Sequence, residues 1–142
     1  VYSSFGHNFV KTMLRLGKER PELRVVYDQI GTPTYARDLA RIILNIIQRV
    51  EKGEIERTLL HHIYNYSNEG VTSWYDFAKA IFEMSNINCK VVPIETKDYP
   101  TPAARPPYSV LNKSRIKDAF GIEIPHWRES LRVCLSTFSS NK

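Results

Sequence analysis

Tyr75 and Lys79 carry the most suggestive spacing in the chain, Tyr-x-x-x-Lys within YDFAK. One helical turn brings such a pair together, and a lysine can lower a tyrosine pKa until the phenol shuttles a proton to a carbonyl. That chemistry also needs a dinucleotide ribose beside the lysine. The six glycines stand at 6, 17, 31, 53, 70 and 121, too far apart for a dinucleotide or phosphate loop. Tyr75 and Lys79 therefore read as an exposed pair on an amphipathic helix. His61-His62 invites a metal, yet neighbouring strand residues face opposite ways. No His-x-x-x-His pair and no acidic calcium loop occurs. Cys89 and Cys134 have neither metal nor redox spacing and read as reduced, buried or half-buried thiols of a cytosolic protein.

The elements that must position these residues belong to a chain of 142 residues, one domain in length. Apolar residues make up 42% and charged residues 25%, which excludes disorder and collagen-like repeats. The apolar stretches are too short for a bilayer, so no membrane partner is expected. Net charge is +5, which permits an anionic ligand. The basic residues are scattered among acids, and most aromatics fall on expected core faces, so nucleic acid is not expected either. Val1-Tyr2-Ser3-Ser4-Phe5 has no initiator Met and resembles a strand end running into a loop, so the chain is expected to be a piece of a longer one.

Helical periodicity predicts a first helix over 8–19, with Asn8 as N-cap, Phe9, Val10, Met13 and Leu14 inward, and Pro21 as the stop. A short strand over 24–27 and a turn over 28–34 follow. A long helix then begins near Thr34, with Leu39, Ile42, Ile43, Ile46, Ile47 and Val50 as its apolar stripe and Gly53 at its end. Residues 61–66 read as a strand. Ser73 with Asp76 resembles a capping box for a helix burying Trp74, Phe77, Ala78, Ile81 and Phe82. Residues 89–94 read as an edge strand because of Pro93. The stretch 97–107 holds four prolines and reads as an ordered loop. One terminal helix runs from after Asn112 to Gly121; another begins near His126 and carries Trp127, Leu131, Cys134, Leu135 and Phe138 inward. Alternating helices and short strands indicate α/β or α+β layers.

Several blocks, taken in order, resemble one family. They are Val1-Tyr2-Ser3-Ser4 with residues 6–14 (GHNFVKTML), residues 28–34 (DQIGTPT), residues 73–78 (SWYDFA) and residues 99–107 (YPTPAARPP), followed by Ser109 and Leu111-Asn112. The chain resembles the dTDP-4-dehydrorhamnose reductases, which are extended short-chain dehydrogenases. The resemblance implies an α/β fold: the carboxy-terminal, substrate-binding portion of an extended Rossmann-type reductase, with mixed helices and short strands over 1–142. It implies a parent that reduces dTDP-4-dehydro-L-rhamnose to dTDP-L-rhamnose with NADPH or NADH, for cell-surface polysaccharide. The family's glycine-rich loop and its catalytic Thr, Tyr and Lys belong to an amino-terminal half absent here, so neither a bound cofactor nor a catalytic residue is expected in this piece. That absent half is the implied partner, along with the dTDP-sugar. A surface it once covered leaves a homodimer open.

The implied substrate is a diphosphate, which calls for positive charge and fixed donors. Arg105 is the first candidate, a guanidinium fork in a proline-braced loop; the alternative is a surface or structural salt bridge. Asn8 stands where the extended class often has an Asn donating to the diphosphate, or it is a plain N-cap. Gln29, Thr32 and Thr34 either line the site or redirect the chain into the long helix. Arg37 and Asp38 read as capping or pairing at that helix start. Tyr99 offers a ring to a base or sugar, or packs its loop. A rival reading is a regulatory protein of the same fold, against which the intact PTPAARP loop argues.

Overall fold

The computed structural model describes residues 1–139. Asn8 opens the first helix, α1 (Phe9–Glu19), by accepting the Lys11 N–H at 3.2 Å. Val10, Met13 and Gly17 form its buried face. At Gly17 a Cβ would stand 2.6 Å from Phe82 Cε1, so glycine is what lets α1 lie close against α3 (Trp74–Met84). Beyond Pro21 the chain extends into β1 (Glu22–Val26), which pairs in parallel with β4 (Lys90–Ile94), Val25 opposite Pro93. With one neighbour, β4 is an edge, where a proline is tolerated.

A second small sheet pairs β2 (Ile30–Gly31) antiparallel with β3 (Thr72–Ser73). β3 runs directly into α3 through the expected capping box. Ser73 Oγ accepts the Asp76 N–H at 3.0 Å and donates to the Asp76 carboxylate at 2.6 Å. The remaining helices are α2 (Ala36–Glu51), α4 (Ser114–Phe120) and α5 (Trp127–Ser139). The main core lies where α1, α3, α5 and the β1–β4 sheet meet, around Val10, Phe77, Ile81, Leu131 and Cys134. A smaller one forms under α2 and α4 from Ile42, Ile46, Val50, Ile116 and Phe120. Each fully buried side chain of this size contributes roughly 1.5–3 kcal/mol.

Three expectations need correction. Residues 61–66 are not a strand: a 3-10 turn occupies Arg57–His61, and the stretch beyond it pairs with no strand among the described residues. Ile63, Tyr64 and Tyr66 favour an extended backbone, but a strand exists only where a neighbour takes its hydrogen bonds. Ile63 is accordingly 87% exposed. The apolar stripe of α2 is narrower than its periodicity suggests, since Ile42, Ile46 and Val50 are buried while Ile43 and Ile47 face outward. The start of α2 does fall next to Thr34 as expected, with Tyr35 as the N-cap, whose side chain makes no cap bond. Its N–H is instead taken by Asn68 Oδ1 at 2.8 Å. Finally, Trp74 is exposed rather than buried. It begins α3, where the helix emerges from its cap, and it leans on Phe9 with ring centroids 4.8 Å apart.

Candidate functional site

Ile30 organises the mouth of the molecule. Its N–H donates to the Pro107 carbonyl at 2.8 Å, and its own carbonyl accepts the Ser109 N–H at 2.8 Å. The proline-rich loop is thereby tied alongside β2. Between that loop, β2, β3 and the start of α3 lies a cleft of about 340 Å³, lined among others by Gln29, Thr32, Trp74, Arg105 and Ser109. Beside it, between α1 and β1, runs a groove of about 770 Å³ with Thr12, Arg24 and Tyr99 in its walls. Phe9, Gln29, Trp74 and Arg105 line both. Those four residues mark the junction of the two.

Arg105 is exposed there and makes no hydrogen bond or ion pair with any described residue. No salt bridge among the described residues engages it. Proline at 102, 106 and 107 and the Ile30 clamp restrain its loop, which lowers the cost of ordering the guanidinium on an anion. Its planar fork suits phosphate oxygens. Aromatic walls from Phe9 and Trp74 suit a ring or sugar face.

The other candidates divide. Gln29 lies at the junction, held by a bond from its Nε2 to Thr96 Oγ1 at 3.1 Å. Thr32 lines the cleft, though its hydroxyl donates to the Gly70 carbonyl at 2.7 Å. Tyr99 sits in the groove wall with its ring largely exposed. Asn8 lines neither, and its side chain is fully engaged: Oδ1 caps α1, while Nδ2 donates to the carbonyls of Ser3 at 2.9 Å and Phe5 at 3.3 Å. Thr34 is buried. Sequence reasoning missed Trp74 and Phe9 as site walls, because their helical spacing also satisfies a core pattern. The one available signal is their place in the first turn of each helix, next to a cap.

Elsewhere the chemistry is quiet. Lys79 Nζ lies 5.6 Å from the Tyr75 ring centroid, and neither residue lines the cleft or the groove. Both cysteines are free and buried, and burial pushes the Cys134 thiol up to about 11, far from a nucleophile at neutral pH. Among the described residues no three His, Cys, Asp or Glu side chains gather as a metal site. No helix among them is long and apolar enough to cross a membrane. A glycine-rich dinucleotide-binding turn is likewise not found among the described residues. β1 leads through Asp28 into β2, and β4 into a three-residue 3-10 turn, so neither parallel strand passes through a glycine-rich turn into a helix N-terminus.

The family described as RmlD substrate binding domain matches residues 1–140. The chain belongs to that family. Among relatives of this RmlD substrate-binding domain, the spore coat polysaccharide biosynthesis protein SpsK of Bacillus subtilis is 43% identical over 140 residues, covering 99% of this chain and 46% of SpsK. A dTDP-4-dehydrorhamnose reductase of Aggregatibacter actinomycetemcomitans is 44% identical over 139 residues, covering 93% and 46%. The crystal structure of a Bacillus anthracis dTDP-4-dehydrorhamnose reductase in complex with NADP superposes with a TM-score of 0.86 at 40% identity, covering 96% of this chain and 45% of that one. The RmlD-type chain thus spans about half the length of the relatives it matches. Its mixed helices and short strands have the fold of the corresponding part of these Rossmann-type reductases.

Proposed function

We propose that this chain is the carboxy-terminal, sugar-nucleotide-binding part of a cytoplasmic reductase that converts dTDP-4-dehydro-L-rhamnose to dTDP-L-rhamnose with NADPH or NADH. The observation that carries this is Arg105, an unpaired guanidinium at the junction of two aromatic-walled clefts. A nucleoside diphosphate sugar has its charge in the middle and a ring at each end, which is the same order. Arg105 holds the diphosphate, Trp74 and Phe9 wall off water on either side, and Gln29, Thr32 and Ser109 supply hydrogen-bond partners. Hydride and proton donors belong to the part of the parent outside this chain, which docks against it.

The test is Arg105→Ala in the full-length protein, with dTDP binding followed by titration calorimetry. Affinity is expected to weaken by about 1.5–3 kcal/mol, the range for a hydrogen-bonded charge. Unchanged affinity would remove Arg105 from the site and with it this reading. Oxidation of the reduced cofactor on adding dTDP-4-dehydro-L-rhamnose, seen for the parent and not for this chain alone, tests the reaction itself.

A further inference from the structure

Gln29 Nε2 and Thr96 Oγ1 meet at 3.1 Å across 67 residues of sequence, and the direction of that bond is settled by a third group. Asp28 takes the Thr96 N–H on both carboxylate oxygens at 3.0 Å and the Thr96 hydroxyl at 2.8 Å. An ionised carboxylate only accepts, and a hydroxyl has a single hydrogen. The Thr96 hydrogen is therefore committed to Asp28, and Gln29 has to approach the Thr96 oxygen with its amide nitrogen. The backbone N–H and hydroxyl of Thr96 also hold the Asp28 carboxyl below the usual carboxylate range, so it stays ionised and the order is kept at neutral pH. The effect appears at the other end of the amide. Gln29 Oε1 accepts from no described residue, is not fully buried, and belongs to a half-buried side chain lining both clefts.

We infer that Asp28 and Thr96 are positioning residues that lock Gln29 with its carbonyl oxygen toward the ligand, so that the junction of the clefts selects a hydrogen-bond donor. A base imide N–H and a sugar hydroxyl share that chemistry. A ligand presenting an acceptor there would leave two lone pairs facing each other, which is how a buried polar contact rejects a wrong partner. The inference rests on reading the clefts as a sugar-nucleotide site.

Asp28→Asn tests it by reversing the order. The asparagine keeps an oxygen for the Thr96 N–H but offers its own amide hydrogen to the Thr96 hydroxyl oxygen. The hydroxyl hydrogen then turns to Gln29, whose amide rotates to present nitrogen to the ligand. Binding of dTDP, dCDP and dTDP-L-rhamnose is measured by calorimetry on the full-length protein, its Asp28→Asn, Gln29→Leu and Arg105→Ala variants. Asp28→Asn and Gln29→Leu are each expected to weaken the donor-bearing ligand about threefold to tenfold, as for one neutral hydrogen bond. If the donor is the thymine imide, dTDP and dTDP-L-rhamnose both weaken, while dCDP, which accepts at that ring position, strengthens in Asp28→Asn. If it is a hexose hydroxyl, dTDP-L-rhamnose alone weakens. Uniform weakening of all three ligands would mark a merely structural role and overturn the inference. Unchanged affinities in Asp28→Asn and Gln29→Leu, beside a loss in Arg105→Ala, overturn it and leave the site reading standing. An unchanged Arg105→Ala sinks both.

Discussion

Asn68 Nδ2 lies 2.9 Å from Asp38 Oδ2, and this buried contact joins the start of α2 to the rest of the molecule. The same amide reaches Ser130 Oγ on α5 at 2.8 Å, and Ser130 in turn donates to Asp38 at 2.5 Å. With Asn68 Oδ1 on the Tyr35 N–H, one fully buried side chain ties α2 to α5. Asn68→Ala strands the Tyr35 N–H and removes a donor from Asp38. Unsatisfied buried groups cost roughly 1–3 kcal/mol each, so a loss of about 2–3 kcal/mol in urea unfolding is expected. Asn68→Asp should cost more, because a second carboxylate would then face Asp38. A midpoint unmoved by either change would mean that the network carries no stability.

Glu69 gives stability an acid limb. Lys113 Nζ, itself buried, stands 3.3 Å from Glu69 Oε2, and Lys117 pairs with the other oxygen. Burial alone would raise the Glu69 carboxyl, but hydrogen bonds and charge from Lys117 and Lys113 outweigh it, and the net is a value below its ordinary 4.5. Stability from this group is therefore fully present above pH 4.5 and lost as pH falls through the lowered folded value. Glu69→Gln is expected to flatten that limb and to cost about 1.5–3 kcal/mol at pH 7. Denaturation midpoints measured from pH 3 to pH 7 for both proteins check the sign, and parallel curves would refute it.

At Gly17 two effects compete. Helix propensity alone favours alanine by about 1 kcal/mol. Against it, the new Cβ would meet the Phe82 ring at 2.6 Å and Ile87 Cγ2 at 2.9 Å, and overpacking typically costs about 1–3 kcal/mol. Gly17→Ala should thus lower the thermal midpoint. A rise would mean that α1 and α3 separate without penalty.

The outward face of α2 presents Ile43, Leu44 and Ile47, with 43 and 47 one turn apart. Left uncovered in the isolated chain, this patch is expected to drive self-association that strengthens with concentration. Ile43→Lys with Ile47→Lys should restore a monomer in sedimentation velocity. An unchanged distribution would exonerate the patch.

The helices were legible in the sequence wherever capping and periodicity agreed. Asn8, the Ser73–Asp76 box and Gly121 mark their helices almost to the residue. The β1–β4 sheet was half legible, since both apolar runs stood out while nothing local says that they pair in parallel. Residues 61–66 misled because strand-favouring residue types are silent on whether a neighbour exists. Ile43 and Ile47 misled for the same reason, as apolarity does not say what covers it. Among the residues lining the candidate clefts, Arg105 and Gln29 were accessible to reasoning from the residues and the resemblance. The Thr96 contact was not, because it joins Asp28 across 68 residues of sequence.

The double clamp of Ile30 on Pro107 and Ser109 also sets when the cleft can exist. Ile30 and Ser109 are 79 residues apart, and closing a loop of that length costs roughly 4 kcal/mol of chain entropy. Folds dominated by contacts this distant form slowly. Packing of the helices between shortens the distance to be spanned and lowers that cost. On the ribosome, the proline-rich loop could not be fastened until residue 109 had emerged. Ligand recognition is then a property of the finished domain, unavailable to any intermediate in which Ile30 still lacks its partners.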